Sequence, residues 1–165
     1  DLGYNRSSFV NAKLRLSNPD TQIFLAADLE QFGMTLVEDD PTAPVLPYLA
    51  APTTRAASAK AYIKIDFEVE ESAVYYLHGF ICVPGPGAPG HDSCFVQLND
   101  GEALYWDFSV SAPERWAWMI NSIQRVAYPR AMELSAGKHT LYIRGRETLT
   151  RFGKFAISRS QLPPE

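Results

Sequence analysis

Apolar and polar residues alternate with a period of two wherever this chain is regular. Between Ala61 and Val69, Ile63, Ile65, Phe67 and Val69 share one side, while Tyr62, Lys64, Asp66 and Glu68 share the other. Such alternation predicts a strand with one face in the core and one in water. Phe9 to Leu16 repeats it, with Val10, Ala12, Leu14 and Leu16 set against Asn11, Lys13 and Arg15. Further strands are expected at Gln22–Leu29, Val74–Val83, Cys94–Leu98, Leu104–Phe108, Trp116–Ile120, Glu133–Leu134, Thr140–Arg144 and Lys154–Ser158. Asn99-Asp100-Gly101 is a tight-turn signal, and Gly137 centres a polar turn feeding the Leu141 and Ile143 strand. No segment carries a convincing helical period. Glu38 to Ser58, interrupted by Pro41, Pro44, Pro47 and Pro52, reads as a long surface excursion. Pro84 to Gly90 reads as an irregular loop. Many short strands between closely spaced turns predict an all-β fold, a β-sandwich or jelly roll of two antiparallel sheets.

Composition narrows the class. With 165 residues, 46% hydrophobic and 21% charged, the chain suits one globular domain. No apolar run approaches the roughly 20 residues of a membrane span, and nothing resembling a signal peptide precedes Asp1. Leu162-Pro163-Pro164-Glu165 reads as the start of a stiff linker, so the chain is expected to be a piece of a longer protein. The expected division is an N-terminal extension with an extra strand (1–21), the sandwich (22–159) and the linker start (160–165). A net charge of -4 argues against nucleic acid as a partner.

Charge is unevenly distributed, though. Acids dominate from Asp20 to Glu71, whereas Lys138, Arg144, Arg146, Arg151, Lys154 and Arg159 face only Glu147 near the end. These are either two solvated faces or an electropositive face for an acidic ligand. Cys82 and Cys94 flank the loop from Val83 to Ser93, at the ends of strands read as a hairpin. They form either a disulfide or two small buried thiols.

Catalytic signatures are missing from the sequence. His78, His91 and His139 sit in unrelated contexts without a G-x-S-x-G, and no H-E-x-x-H or C-x-x-C suggests zinc. Nineteen acids supply many carboxylate pairs, none of which stands out for glycoside hydrolysis. Asn5-Arg6-Ser7 matches a glycosylation sequon.

Several segments, in order, resemble carbohydrate-binding modules of the family 6 and 35 type. They are Ile23 to Leu29, Gly33 to Asp40 with Pro47-Tyr48-Leu49, Asp92 to Gly101, Trp116-Ala117-Trp118, the Gly137 hairpin, and Arg146 to Phe155. The resemblance covers residues 22 to 158 and implies a non-catalytic module that binds polysaccharide and targets an attached enzyme or surface protein. It implies a secreted or cell-surface protein and covalently linked neighbouring domains. The family's loop site would fall on Tyr48, Trp116 and Arg151, two rings and a polar group. Arg151 stands where Asn is usual and implies an anionic polysaccharide, because guanidinium grips carboxylate or sulfate bidentately.

Arg115 beside Trp116, Arg146 and Glu147 as an ion pair or hydroxyl reader, and His91 on its loop complete the candidates. Trp106 is either core or site, since Tyr105 and Trp106 point oppositely, and Trp118 is expected in the core. The family's structural calcium uses two acids whose positions here are Ala27 and Gly153, so no calcium and no other cofactor is expected. Two other readings stay open. One is a jelly-roll polysaccharide lyase; the other is a structural or adhesive sandwich domain of a cell-surface protein.

Overall fold

Strand pairing in the computed structural model follows the alternation closely, and residues 20–85, 91–108, 114–122 and 128–164 are described. Twelve strands lie among them, arranged as two sheets with every paired strand antiparallel. The first sheet runs β10 (Met132–Leu134), β6 (Ala73–Cys82), β12 (Arg151–Ser158), β4 (Tyr48–Ala50) and β3 (Thr35–Val37). Its β6 also pairs with β9 (Trp116–Ile120), and β12 with β1 (Gln22–Leu25). The second sheet runs β2 (Glu30–Phe32), β5 (Tyr62–Val69), β11 (Gly137–Arg144), β7 (Ser93–Leu98) and β8 (Ala103–Asp107). The chain is a two-sheet β-sandwich of the jelly-roll type.

Between the sheets lies one apolar layer. Ile63, Ile65, Phe67 and Val69 of β5 are all buried, as their spacing required. They meet Leu77 and Ile81 of β6 and Phe152, Phe155 and Ile157 of β12. Trp106 is fully buried, edge-on to Phe108 at 5.1 Å, and its indole Nε1 donates to the Ile120 carbonyl at 3.2 Å. Trp106 is therefore core and leaves the list of sugar-binding candidates. Period-two geometry sends its neighbour Tyr105 outward.

Three expectations are corrected. The Pro-rich excursion contains β4 and a one-turn helix, α1 (Arg55–Ser58), whose N-cap Thr54 accepts from the Ala57 amide at 3.3 Å. Cys82 and Cys94 are both buried free thiols, because their strands belong to different sheets instead of forming a hairpin. Cys82 faces outward on β6 beneath Arg151, while Cys94 joins the core. Burial raises the thiol pKa of both. Finally, Trp118 lies half-buried on the outer face of the first sheet, opposite Phe80. The expected strand from Phe9 to Leu16, the sequon at Asn5, and Pro86 to Gly90 fall outside the described residues.

Candidate functional site

The outer face of the second sheet carries a line of aromatic side chains. Cross-strand register places Phe32 opposite Tyr62, Tyr62 opposite Arg144, Arg144 opposite Phe95, and Phe95 opposite Tyr105. Each of the five strands contributes one member. Four interstrand steps of about 4.8 Å make the line roughly 19 Å long. Tyr142, one row along, meets Tyr62 edge-on at 5.6 Å. Phe32 stacks on Tyr62 at 6.0 Å, and Phe95 meets Tyr105 at 6.3 Å. Phe32 is 58% exposed and Tyr105 37% exposed. Tyr62, Phe95 and Tyr142 between them are half-buried.

Guanidinium groups hold the strip in shape. Arg144 lies over the Tyr142 ring, 4.8 Å from its centroid, with Nε donating to Gln97 Oε1 at 2.7 Å. Arg146 lies over Tyr105 at 4.9 Å. A cation above a ring face gains quadrupole attraction and loses side-chain freedom. Lys64 bridges Glu30 and Asp66, each at 3.2 Å, along the neighbouring row.

Arg146 is anchored from behind by candidates that the sequence named. Its Nη1 donates to Glu147 Oε1 at 2.7 Å and Ser93 Oγ at 2.6 Å. Glu147 is only 6% exposed, and its Oε2 accepts the Asp92 amide at 2.6 Å. Burial alone would raise the Glu147 pKa. Hydrogen bonds from Asp92 and Ser93 and the Arg146 charge overcome it and hold the carboxyl below its usual range. Asp92 moves the other way, raised by burial first and then by the Glu147 carboxylate. His91 Nδ1 is tied to the Thr148 carbonyl at 2.7 Å, and the His91 carbonyl accepts from Thr150 Oγ1 at 2.6 Å. Glu147 and His91 thus brace the loops that present Arg146; a buried Glu147 is not an open hydroxyl reader.

The expected loop site looks different. Tyr48 and Trp116 do meet, with ring centroids 5.1 Å apart and planes at 67°. That contact is edge-to-face, leaving no slot between the rings. Tyr48 is 4% exposed, its hydroxyl donating to Asp40 Oδ2 at 2.8 Å. Asp40 in turn lies 3.9 Å from Arg151 Nη1, so the cation expected to grip an anion already has a carboxylate. Tyr48 is corrected from clamp to support. Trp116 remains half-buried, stacked on Phe80 at 5.6 Å, and Phe80 also touches Trp118 at 5.4 Å. Lys154 Nζ sits 5.9 Å from the Phe80 centroid, and Arg115 beside Trp116 is exposed. A smaller ring cluster therefore occupies the outer face of the first sheet.

Sequence motifs pointed to loops, whereas the strip is assembled only by cross-strand register. Its signal was present in the outward positions of the alternating strands: Tyr62, Phe95, Tyr105 and Tyr142 stand where polar residues are ordinary.

Ala27 and Gly153 supply no side-chain oxygen, and a Cβ at Gly153 would overlap the Val45 methyl and lie 2.9 Å from Trp116. No cluster of three or more His, Cys, Asp or Glu suited to a metal occurs among the described residues.

No protein-family model matches the sequence, and no curated protein is similar to it. Solved structures do share the fold. A Podospora anserina GH26-CBM35 β-(1,4)-mannanase superposes with a TM-score of 0.62 at 14% identity, over 88% of this chain. This chain spans only 29% of that enzyme. A family 35 carbohydrate-binding module from Clostridium thermocellum gives 0.60 at 13% identity, over 83% of this chain and 96% of the module. A module from Cellvibrio mixtus lichenase 5A, in complex with cellotriose, gives 0.56 at 12%, over 85% and 98%.

Proposed function

We propose that this domain is a non-catalytic carbohydrate-binding module that holds a glycan chain against the second sheet. One observation carries the reading: the five strands line up four aromatic rings and Arg144 across the outer face, with the end rings Phe32 and Tyr105 exposed. A pyranose packs its axial C–H face on a ring, while its equatorial hydroxyls need planar donors and acceptors at the ring edge. Arg144, Gln97, Lys64 and Arg146 stand there, and the rings are already held by neighbours, so little freedom is lost on binding. The fold shared with carbohydrate-binding modules supports the same reading.

A line of roughly 19 Å favours the interior of a chain over a single end unit. Arg146 is paired with Glu147 and Arg151 faces Asp40, so two of the three guanidinium groups already have a carboxylate and a neutral polysaccharide is favoured over an acidic one; Arg144, held by the neutral Gln97 amide, is left to hydrogen-bond hydroxyls. Affinity belongs in the micromolar to millimolar range, about 4 to 8 kcal/mol. The biological role would be to raise the effective concentration of a linked catalytic domain on its substrate outside the cell.

The test is retention on immobilised β-glucan, mannan and polygalacturonate, with a glycan microarray for breadth. Tyr105→Ala and Tyr142→Ala should each weaken retention at least about tenfold with little change in melting temperature. Retention lost in Trp116→Ala but kept in both tyrosine variants would move the site to the first sheet. Release of unsaturated products from polygalacturonate would establish a lyase instead.

A further inference from the structure

The line on the second sheet divides into two ring pairs with a cation between them. Phe32 and Tyr62 meet at 6.0 Å, and Phe95 and Tyr105 at 6.3 Å. Three interstrand steps of about 4.8 Å set the centres of the pairs roughly 14 Å apart. Arg144 stands midway, directly opposite Tyr62 on one side and Phe95 on the other. Its stem rises in the gap, and its guanidinium turns onto the Tyr142 ring one row along, 4.8 Å from the centroid.

A chain of contacts fixes that guanidinium. Gln97 Oε1 accepts from Arg144 Nε at 2.7 Å. Gln97 Nε2 donates to the Gly101 carbonyl at 2.9 Å, which decides that the oxygen end of the amide meets the arginine. Gly101 belongs to the β7–β8 turn, and Asn99 ties that turn to β11 twice. Its amide donates to the Thr140 carbonyl at 2.8 Å, and its Oδ1 accepts from the Thr140 amide at 2.9 Å. Glu30 and Asp66, the acids of the adjoining rows, both bind Lys64 at 3.2 Å and do not draw the guanidinium aside.

Gln97 and Arg144 are half-buried on the outer face. A hydrogen bond between such side chains adds little to stability, because water serves both partners in its absence. Its effect is on Arg144. A guanidinium bound through Nε and lying flat on a ring holds its two Nη groups at a set place beside the gap. A glycan seated on both ring pairs must cross that gap, and its hydroxyl oxygens pass the Nη donors there. A disaccharide reaches only one pair; a longer chain reaches both.

We propose that Gln97 is a positioning residue for glycan binding, holding Arg144 as a fixed donor between two ring-lined half-sites, so that this face selects chains long enough to occupy both. The inference rests on the carbohydrate-binding reading and adds to it the length of the ligand and the residue that enforces it.

Calorimetric titration with β-1,4-linked gluco- and manno-oligosaccharides of two and six units tests it. Wild type should bind the six-unit probe of one series at least about tenfold more tightly than its two-unit probe. Gln97→Met should lose most of that gain while keeping the two-unit affinity and the melting temperature, and Arg144→Met should reproduce the loss. Gln97→Glu, which retains an acceptor for Nε, should keep most of the gain. The Arg144 Nε–H resonance should exchange slowly with water in wild type and Gln97→Glu, and rapidly in Gln97→Met. A length gain that survives in Gln97→Met, an equal loss at two and six units, or an early melt would overturn the positioning role and leave the strip standing. Wild type that binds neither series would sink the strip, and this inference with it.

Discussion

Replacing Glu147 by alanine tests the brace behind the strip. Glu147 Oε2 holds the Asp92 amide at 2.6 Å, and its loss leaves that half-buried donor unmade, at roughly 1–3 kcal/mol. The Arg146 bond at 2.7 Å is charge-assisted, but Arg146 is 35% exposed and water replaces much of it, leaving about 1 kcal/mol. Arg55, 3.8 Å away and 66% exposed, adds little. Relief of the Asp92 carboxyl, now burdened by burial and by the Glu147 charge, returns part of the loss. The net cost is about 2–3 kcal/mol, a fall in melting temperature of roughly 5–10 °C for a chain of this size.

Calorimetric melts at pH 7 measure it, and Glu147→Gln, which keeps an acceptor without charge, should lie between. The sign with pH is fixed. Because the folded carboxyl titrates below its usual 4.5, its contribution is present above that pH and lost as pH falls through the folded value. Wild type and Glu147→Ala should therefore draw together as the pH is taken below the folded value. A loss under about 0.5 kcal/mol at pH 7, or a gap that widens in acid, would refute the brace.

Placing an acid at residue 153 with Gly153→Asp should destabilise by about 1–3 kcal/mol, since the new side chain must displace Val45 and Trp116; calcium should not rescue the melt. His78 is buried with Nε2 2.9 Å from the Ser160 carbonyl, and burial lowers its pKa below 6.5. Its contribution is full above that value and is lost as pH falls beneath it, so His78→Gln should flatten the stability decline between pH 7 and 5. Cys82 and Cys94 should react with a thiol reagent only on unfolding, and reductant should leave the melt unchanged.

Fold class was legible because alternation is a local signal and core burial enforces it. Ile63, Ile65, Phe67 and Val69 could hardly face elsewhere. The opposite facing of Tyr105 and Trp106 was readable for the same reason, though which of them was core was not. What escaped was everything set by sheet membership. Cys82 and Cys94 look like hairpin partners along the chain, yet they separate because β6 and β7 enter different sheets. Tyr48 looks like a loop aromatic, yet β4 and Asp40 enclose it, a contact settled by how 38–47 folds back. The strip needed register: Phe32 and Tyr105 lie 73 positions apart in sequence, and only strand order aligns them.

Each member of that line sits within two residues of a side chain committed to the interior, Tyr62 beside Ile63, Phe95 beside Val96, Tyr105 beside Trp106. An insertion or deletion of one residue within any of these strands would exchange inside for outside and cost both at once. Change on this face is thereby confined to substitution in place, whereas loops at the sandwich ends stay free to change length.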